Sequence, residues 1–204
     1  MTQGGNRVQT QQEINTVFAE YYRNLYADPN PLDPGELKDF LESLSLRMAP
    51  PEVTMEIGGR VTGPELRATL KNMARGKVAG IDGLSAEFYA TFAELIIPRM
   101  VELYDDAWKS NSLPPTITTA LMVALPKKDR DSMDPASFRP LSMLTTDYKL
   151  LSGVLAARLL PHISKIIHCD QSGFIPRRNT AVNIRRLMSI IEGVGDSLAY
   201  AMIL

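Results

Sequence analysis

A chain of 204 residues, 45% apolar and 22% charged with a net charge of −1, is long enough for a full core and too apolar for a disordered segment. Its one cysteine, Cys169, excludes an internal disulfide framework and a cysteine-based zinc site, and His162 and His168 leave little for a metal cluster. No apolar run reaches the roughly 20 residues of a bilayer span and Met1–Gly5 lacks the makings of a signal peptide, so the expectation is a soluble protein of a reducing, intracellular compartment, the nucleus included.

The first quarter is acidic: residues 1–60 carry five Lys/Arg against nine Asp/Glu, whereas residues 61–204 carry seventeen against fourteen. From Gln11 to Tyr26, the residues Ile14, Val17, Phe18, Tyr21, Tyr22 and Leu25 recur at helical spacing, predicting an amphipathic helix that stops before the Asp28-Pro29-Asn30-Pro31 turn. Its aromatic stripe reads as core packing. A helix from about Pro34 to Leu46 follows, and Pro50-Pro51 is expected to break the chain. Residues 1–60 thus read as an acidic helical extension placed before residues 61–204.

Thr62 and Glu65 have the form of a capping box that launches a helix to about Ala74, with Leu66, Leu70 and Met73 inward. The glycine-rich loop Gly76–Gly83 comes next, with a turn signal at Asp82-Gly83. It lacks the Gly-Lys-Ser/Thr of a phosphate-binding loop and no strand precedes it, so nucleotide hydrolysis finds no support. Phe92 to Lys109 is helical in pattern, with Pro98 expected to kink or split it.

The period then changes. Ile117–Leu125 reads as a strand stopped by Pro126, the charged run Lys127–Asp134 as a connection, and Phe138–Leu144 as the returning strand of a hairpin. Thr146 to about His168 is helical with a wide apolar stripe interrupted by Pro161. Gly173 and Pro176 open a loop, and Thr180 is expected to cap a helix to Ile191 with Ile184, Leu187, Met188 and Ile191 on one side. Leu198–Leu204 reads as a buried strand whose unpaired edge predicts aggregation. The fold class is α+β, mainly helical, with one β-hairpin.

Candidate chemistry centres on Lys127 and Arg139. At the end of one strand and the start of its partner, their side chains are positioned to converge on a polyphosphate, Lys as a point charge and Arg as a bidentate fork. The plain alternative keeps Lys127 solvated and pairs Arg139 with Asp129, Asp131 or Asp134. Those three aspartates read as solvated loop charge and are not assigned to a metal. Asp147 at a helix start and Asp170 past a helix end have structural explanations, and His168 reads as a helix C-terminal residue favoured by the dipole. No Gly-x-Ser-x-Gly elbow is present. Between Lys165 and Arg186, the cations Lys165, Arg177, Arg178, Arg185 and Arg186 meet only Asp170. Such a surface suits a nucleic-acid backbone, and equally a solvated helix face.

Three blocks in order, GKVAGIDGLSAEFY, LPPTITTALMVALPKKDRD and SFRPLSMLTTDYKLLSGVLAARLLPHISKIIHCDQSGFIPRRNTAVNIRRL, resemble the reverse transcriptase of LINE-type (non-LTR) retrotransposons over about Val61 to Leu204. The resemblance implies the fingers and the start of the palm of a right-hand, RNA-directed DNA polymerase. It implies that Lys127 and Arg139 contact the incoming nucleotide's triphosphate. It also implies that Gln171, Arg177, Arg178 and Arg185 lie near template, primer and nucleotide, with an RNA template, a DNA primer, dNTP and Mg2+ as the partners of the full enzyme and no membrane. Ala79 and Ile81 stand where the family commonly has prolines, which implies a less rigid loop. Arg177 replaces a usual glycine of GFIPGR, which strains or reshapes the turn if that glycine has positive φ. The family's first catalytic aspartate follows a strand like Tyr200–Leu204, and the chain stops before it. The expectation is therefore a fragment without catalytic residues or a metal of its own, inactive by itself; an RNA-binding or accessory protein, or a relic, is the alternative.

Overall fold

Side-chain caps set the starts of several helices in this chain, and the computed structural model, which describes residues 2–3, 6–27, 33–44 and 49–194, bears out most of the expected helices. After the short antiparallel pair β1 (Thr2–Gln3) and β2 (Asn6–Arg7), helix α1 (Gln11–Tyr26) begins at Thr10, whose side chain and backbone exchange hydrogen bonds with Glu13. Asp33 caps α2 (Pro34–Ser43) by accepting from the amides of Gly35 and Glu36. Pro50-Pro51 starts a helix, α3 (Pro51–Ile57), where a chain break was expected. The reason is that Pro51 occupies the first helical position, where a missing amide leaves no bond unmade and φ is already helical. Thr62 and Glu65 form the predicted box at the head of α4 (Gly63–Asn72), and Leu66 and Leu70 are buried.

The short α5 (Ala86–Thr91) meets α6 (Ala93–Ser110) at Phe92, and α6 passes Pro98 as one helix before a left-handed Asn111 closes it. The expected strand from Ile117 starts later: α7 (Pro115–Thr118) takes its first two residues. Pro115 nucleates that turn, the Thr118 and Thr119 hydroxyls donate back to its carbonyl, and Ile117 is buried. Strands β3 (Leu121–Pro126) and β4 (Phe138–Met143) then pair antiparallel, Leu125 opposite Arg139 and Pro126 opposite Phe138. Helix α8 (Thr146–Leu159), the short α9 (Ile163–Ile166) and α10 (Thr180–Val194) complete the described chain, with Pro161 between the first two as expected. Thr180 is the first helical residue of α10, and the cap is Asn179, whose Oδ1 accepts from the Ala181 amide at 2.9 Å. The expected turn at Asp28–Pro31, the end of the second helix at Leu46 and the strand Leu198–Leu204 lie outside the described residues. Among the described residues the class is α+β, mainly helical, and no helix is long and apolar enough to cross a membrane.

Two compact units result, one of Met1–Ser45 with Arg60–Ser152 and one of Leu46–Gly59 with Gly153–Leu204. Leu66, Leu70, Ile97, Met100, Tyr104, Ile117 and Leu150 form the core of the first. The N-terminal helix is part of that unit: Phe18 meets Phe138 edge to face with ring centroids 5.1 Å apart, so α1 covers one face of the hairpin. The second unit buries Val53 and Val154, while Ile184, Met188 and Ile191, three of the four residues of the expected one-sided stripe of α10, are more than half exposed.

One contact in the first unit fixes the glycine-rich loop. The loop turns over Gly80–Gly83, with the Gly83 amide donating to the Gly80 carbonyl at 3.1 Å and Gly83 at φ +71°. A Cβ on Gly80 would stand 2.7 Å from both Cα and N of Thr145 and 2.8 Å from the Leu144 carbonyl oxygen. Backbone cannot give way as a flexible side chain does, so only glycine allows this approach. Gly80→Ala is expected to destabilise the chain by about 1–3 kcal/mol as an overpacked site, read from urea denaturation. Gly193→Ala, where a Cβ meets nothing within 4 Å, is the control and should not destabilise.

Candidate nucleic-acid interface

The hairpin register decides where the two candidate cations point. Leu125 lies opposite Arg139, and the ladder continues one step beyond Pro126, where the Lys127 amide donates to the Ser137 carbonyl at 2.8 Å. Side chains alternate along a strand and paired residues share a face. Lys127 and Arg139 therefore stand on the same face as diagonal neighbours, a relation that spans about 7–8 Å at the Cβ atoms. Phe138, one residue away, is on the face that α1 covers. The face of Arg139 also carries Leu121, Leu125 and Leu141, each more than 40% exposed. The outcome is an open apolar surface with two cations at one end.

The two cations differ in freedom. The Lys127 ammonium donates to the Ala136 carbonyl at 2.7 Å, so it is folded onto the connecting loop. Arg139 is exposed and makes no ion pair among the described residues, so it is not paired with the loop aspartates there. Two of those aspartates shape the connection: Asp131 accepts from the Met133 amide at 2.8 Å and Asp134 from the Ala136 amide at 2.9 Å. Asp129 holds a left-handed φ of +57°.

Asp147 proves to have more company than its helix-start position suggested. Thr145 caps α8, its hydroxyl accepting from the Tyr148 amide, while the Asp147 carboxylate accepts a short hydrogen bond from the Tyr89 hydroxyl. The Tyr104 hydroxyl donates to the Asp147 carbonyl at 2.8 Å, and the Thr146 hydroxyl to the Leu84 carbonyl at 2.8 Å. Burial pushes the Asp147 carboxyl above the ordinary aspartate range; the Tyr89 bond works against that rise and the Asp82 charge adds to it. Burial, joined by Asp147, holds both phenols above the usual tyrosine range. No signal in the sequence linked Tyr89 and Tyr104 to Asp147, because the contact spans 58 and 43 residues.

In the second unit, the neighbouring arginines Arg177 and Arg178 have opposite roles. The Arg178 guanidinium donates to the carbonyls of His168, Gln171 (2.8 Å), Ser164 (3.1 Å) and Ile167 (3.3 Å), closing the carbonyl end of α9 and holding the loop to it. Asn183 fastens the same loop from α10, its side chain donating to the Asp170 carbonyl at 2.7 Å. The exposed Gln171 donates its side-chain amide to the Gly173 carbonyl at 3.2 Å. Arg177 is exposed at φ +64°, the conformation in which glycine is at ease. With Arg178, Leu160, Pro161, Ile163, Ser164 and Pro176 it lines an open cleft of about 610 Å3. Arg185 is exposed on α10 and is not among the cleft residues. Arg186 pairs with Asp170. An aromatic that sequence reasoning passed over joins this loop: Phe174, also left-handed at φ +59°, is fully exposed. Exposed aromatic and cationic side chains together are what a single nucleic-acid strand stacks and pairs on.

One group of three metal-ligand types occurs among the described residues, the exposed and consecutive His168, Cys169 and Asp170. A nitrogen, a sulfur and a single carboxylate do not fit Mg2+, which takes oxygen ligands in an octahedron.

No protein-family model matches the chain. It is similar to the transposon TX1 uncharacterized 149 kDa protein of Xenopus laevis, at 30% identity over 199 residues, covering 96% of this chain and 15% of that protein. The likeness relates the chain to a transposon protein, of whose length it spans about 15%.

Two outcomes are expected. Replacing Arg177 by glycine removes a left-handed side-chain penalty of about 1–2 kcal/mol but gives the unfolded chain extra freedom. Arg177→Gly should therefore raise stability by about 0.5–1 kcal/mol in urea denaturation. For Asp147, the raised carboxyl pKa means the folded chain holds that proton more tightly than the unfolded chain. Its contribution is thus most favourable below the unfolded value of about 4 and is lost as pH rises through the folded value. The stability of Asp147→Asn relative to the parent should increase from pH 4 to pH 7; a relative decrease would contradict the assignment.

Proposed function

We propose that this chain carries the nucleotide- and template-contacting part of a retrotransposon's RNA-directed DNA polymerase. The observation that carries the reading is the hairpin register, which sets Lys127 and Arg139 on the uncovered face of β3–β4 with Arg139 unpaired among the described residues. In this reading Arg139 offers its bidentate fork to the triphosphate of a dNTP, and Lys127 adds a point charge beside it. The hairpin acts as a fingers element for the nucleotide. Arg177, Arg185 and Gln171 take the phosphates of an RNA template and a DNA primer, and Arg178 shapes the loop that presents them. The relation to a transposon protein and the order of the three sequence blocks support this assignment over an unrelated basic surface. Mg2+ belongs to the complete polymerase; the donor set in the described residues does not fit it, and no step here is routed through it.

Binding of a fluorescent dNTP to the full chain at constant ionic strength tests the reading. Loss of a charge-assisted contact costs about 1.5–3 kcal/mol, so Arg139→Ala should lower dNTP affinity about tenfold or more. Lys127→Ala should lower it less, because its ammonium is shared with the Ala136 carbonyl. If both variants bind dNTP as the parent does while RNA binding stays salt-dependent, the chain is an RNA-binding protein without a nucleotide site.

A further inference from the structure

We infer a second phosphate site, distinct from the hairpin, in a cavity of about 200 Å3 beside the glycine-rich loop. Two lysines, Lys77 and Lys149, line it together with the hydroxyl residues Ser85 and Thr146, over a floor that includes Met73 and Ala79. None of the lining residues is acidic. Neither ammonium has a hydrogen-bond or ion-pair partner among the described residues. Lys149 is half-buried, so its charge acts where water screens it less than on an open surface.

The framework around these lysines is fastened on several sides. The Gly76 amide donates to Glu87 at 2.6 Å, which turns that carboxylate onto the loop backbone. Arg75 donates to the Ala86 carbonyl at 3.2 Å, and Thr146 is pinned to the Leu84 carbonyl. Gly80 presses the loop against Thr145 next to Ala79. Thr146 is also the first residue of the fourteen-residue α8, whose first-turn amides favour an anion in their vicinity. Two unpaired cations, a helix start and no acid make an anion site, and the apolar floor suits the sugar or base attached to a phosphate rather than a free ion. The occupant is a phosphate group of a nucleic-acid strand. This choice rests on the nucleic-acid reading above, whereas the hairpin site takes the nucleotide.

The experiment is anisotropy of a labelled single-stranded RNA with the full chain across a salt series. Lys77→Glu reverses an exposed charge, and Lys149→Met keeps the aliphatic stem that lines the cavity while removing only the charge. Each is expected to weaken RNA binding about three- to tenfold, irrespective of sequence, and Lys149→Met to lower the slope of log affinity against log salt by about 0.7. Binding of the fluorescent dNTP should be unchanged in both, and Arg139→Ala should show the reverse pattern. Parent-like RNA affinity and salt slope in both folded variants would overturn the cavity site and leave the hairpin assignment standing. Weakened RNA binding here, together with parent-like dNTP binding in Arg139→Ala, would uphold the cavity site and remove the hairpin assignment.

Discussion

The approach of Gly80 to the backbone of Leu144 and Thr145 is the constraint on which the first unit turns. That short segment is the joint between the returning strand of the hairpin and the start of α8, so whatever rests on it sets the exit of one element and the entry of the next. A side chain at Gly80 would hold the loop away. Without the contact, Thr146 has no fixed relation to Leu84, nor Asp147 to Tyr89, and those hydrogen bonds are what tie α5, α6 and α8 together. The glycine is needed here for space and not for a left-handed turn, which Gly76 and Gly83 supply on either side of it.

The same joint explains why a half-buried carboxylate is tolerated. Burial alone disfavours ionised Asp147, but the Tyr89 hydroxyl gives it a donor that a neutral environment would lack. The partner is itself made a poorer acid by the arrangement, so the proton stays on the phenol and the bond keeps one direction. Asp147 then serves as a locating acceptor for the tyrosine rather than as a candidate for catalysis. On the far side of the joint, the hairpin is divided by parity: Phe138 meets α1, and Arg139, on the opposite face with the exposed Leu121, Leu125 and Leu141, remains open. A shift of one residue in register would bury Arg139 against Phe18 and expose Phe138, so the availability of the cation follows directly from the pairing.

Much of the architecture is legible in the sequence where the signal is local. The α1 stripe, the Thr62–Glu65 box and the Pro161 break each depend on residues within a turn or two of one another. Proline is ambiguous in the same way at Pro50-Pro51 and at Pro114-Pro115: it breaks a helix from within, yet at a first helical position it begins one. The apolar run from Ile117 could not distinguish a buried helical turn from a strand, because period is undefined over so few residues. For the candidate site, sequence placed Lys127 and Arg139 on one hairpin, but whether each ammonium or guanidinium is already bonded is a tertiary matter. The Tyr89–Asp147 contact and the role of Gly80 were out of reach for the same reason.

Arg177 and Arg178 show how far residue type is from residue role. Both are arginines in one basic loop, and composition cannot separate them. Arg178 fills a need that backbone geometry creates: carbonyls at the end of a short helix lack helical partners, and its guanidinium meets those of Ser164 and Ile167 there together with those of His168 and Gln171 in the loop beyond. Its removal would loosen the loop whatever the loop binds. Arg177 meets no such need among the described residues and holds a backbone conformation that costs a side chain about 1–2 kcal/mol. Phe174 carries the same penalty three residues earlier, with its ring wholly in solvent. Strain at two exposed positions, in a loop fastened by Arg178 and Asn183, holds an aromatic ring and a cation outward together. Neither side chain makes a hydrogen bond or ion pair among the described residues that would offset that cost, which is the mark of a position held for something other than the fold.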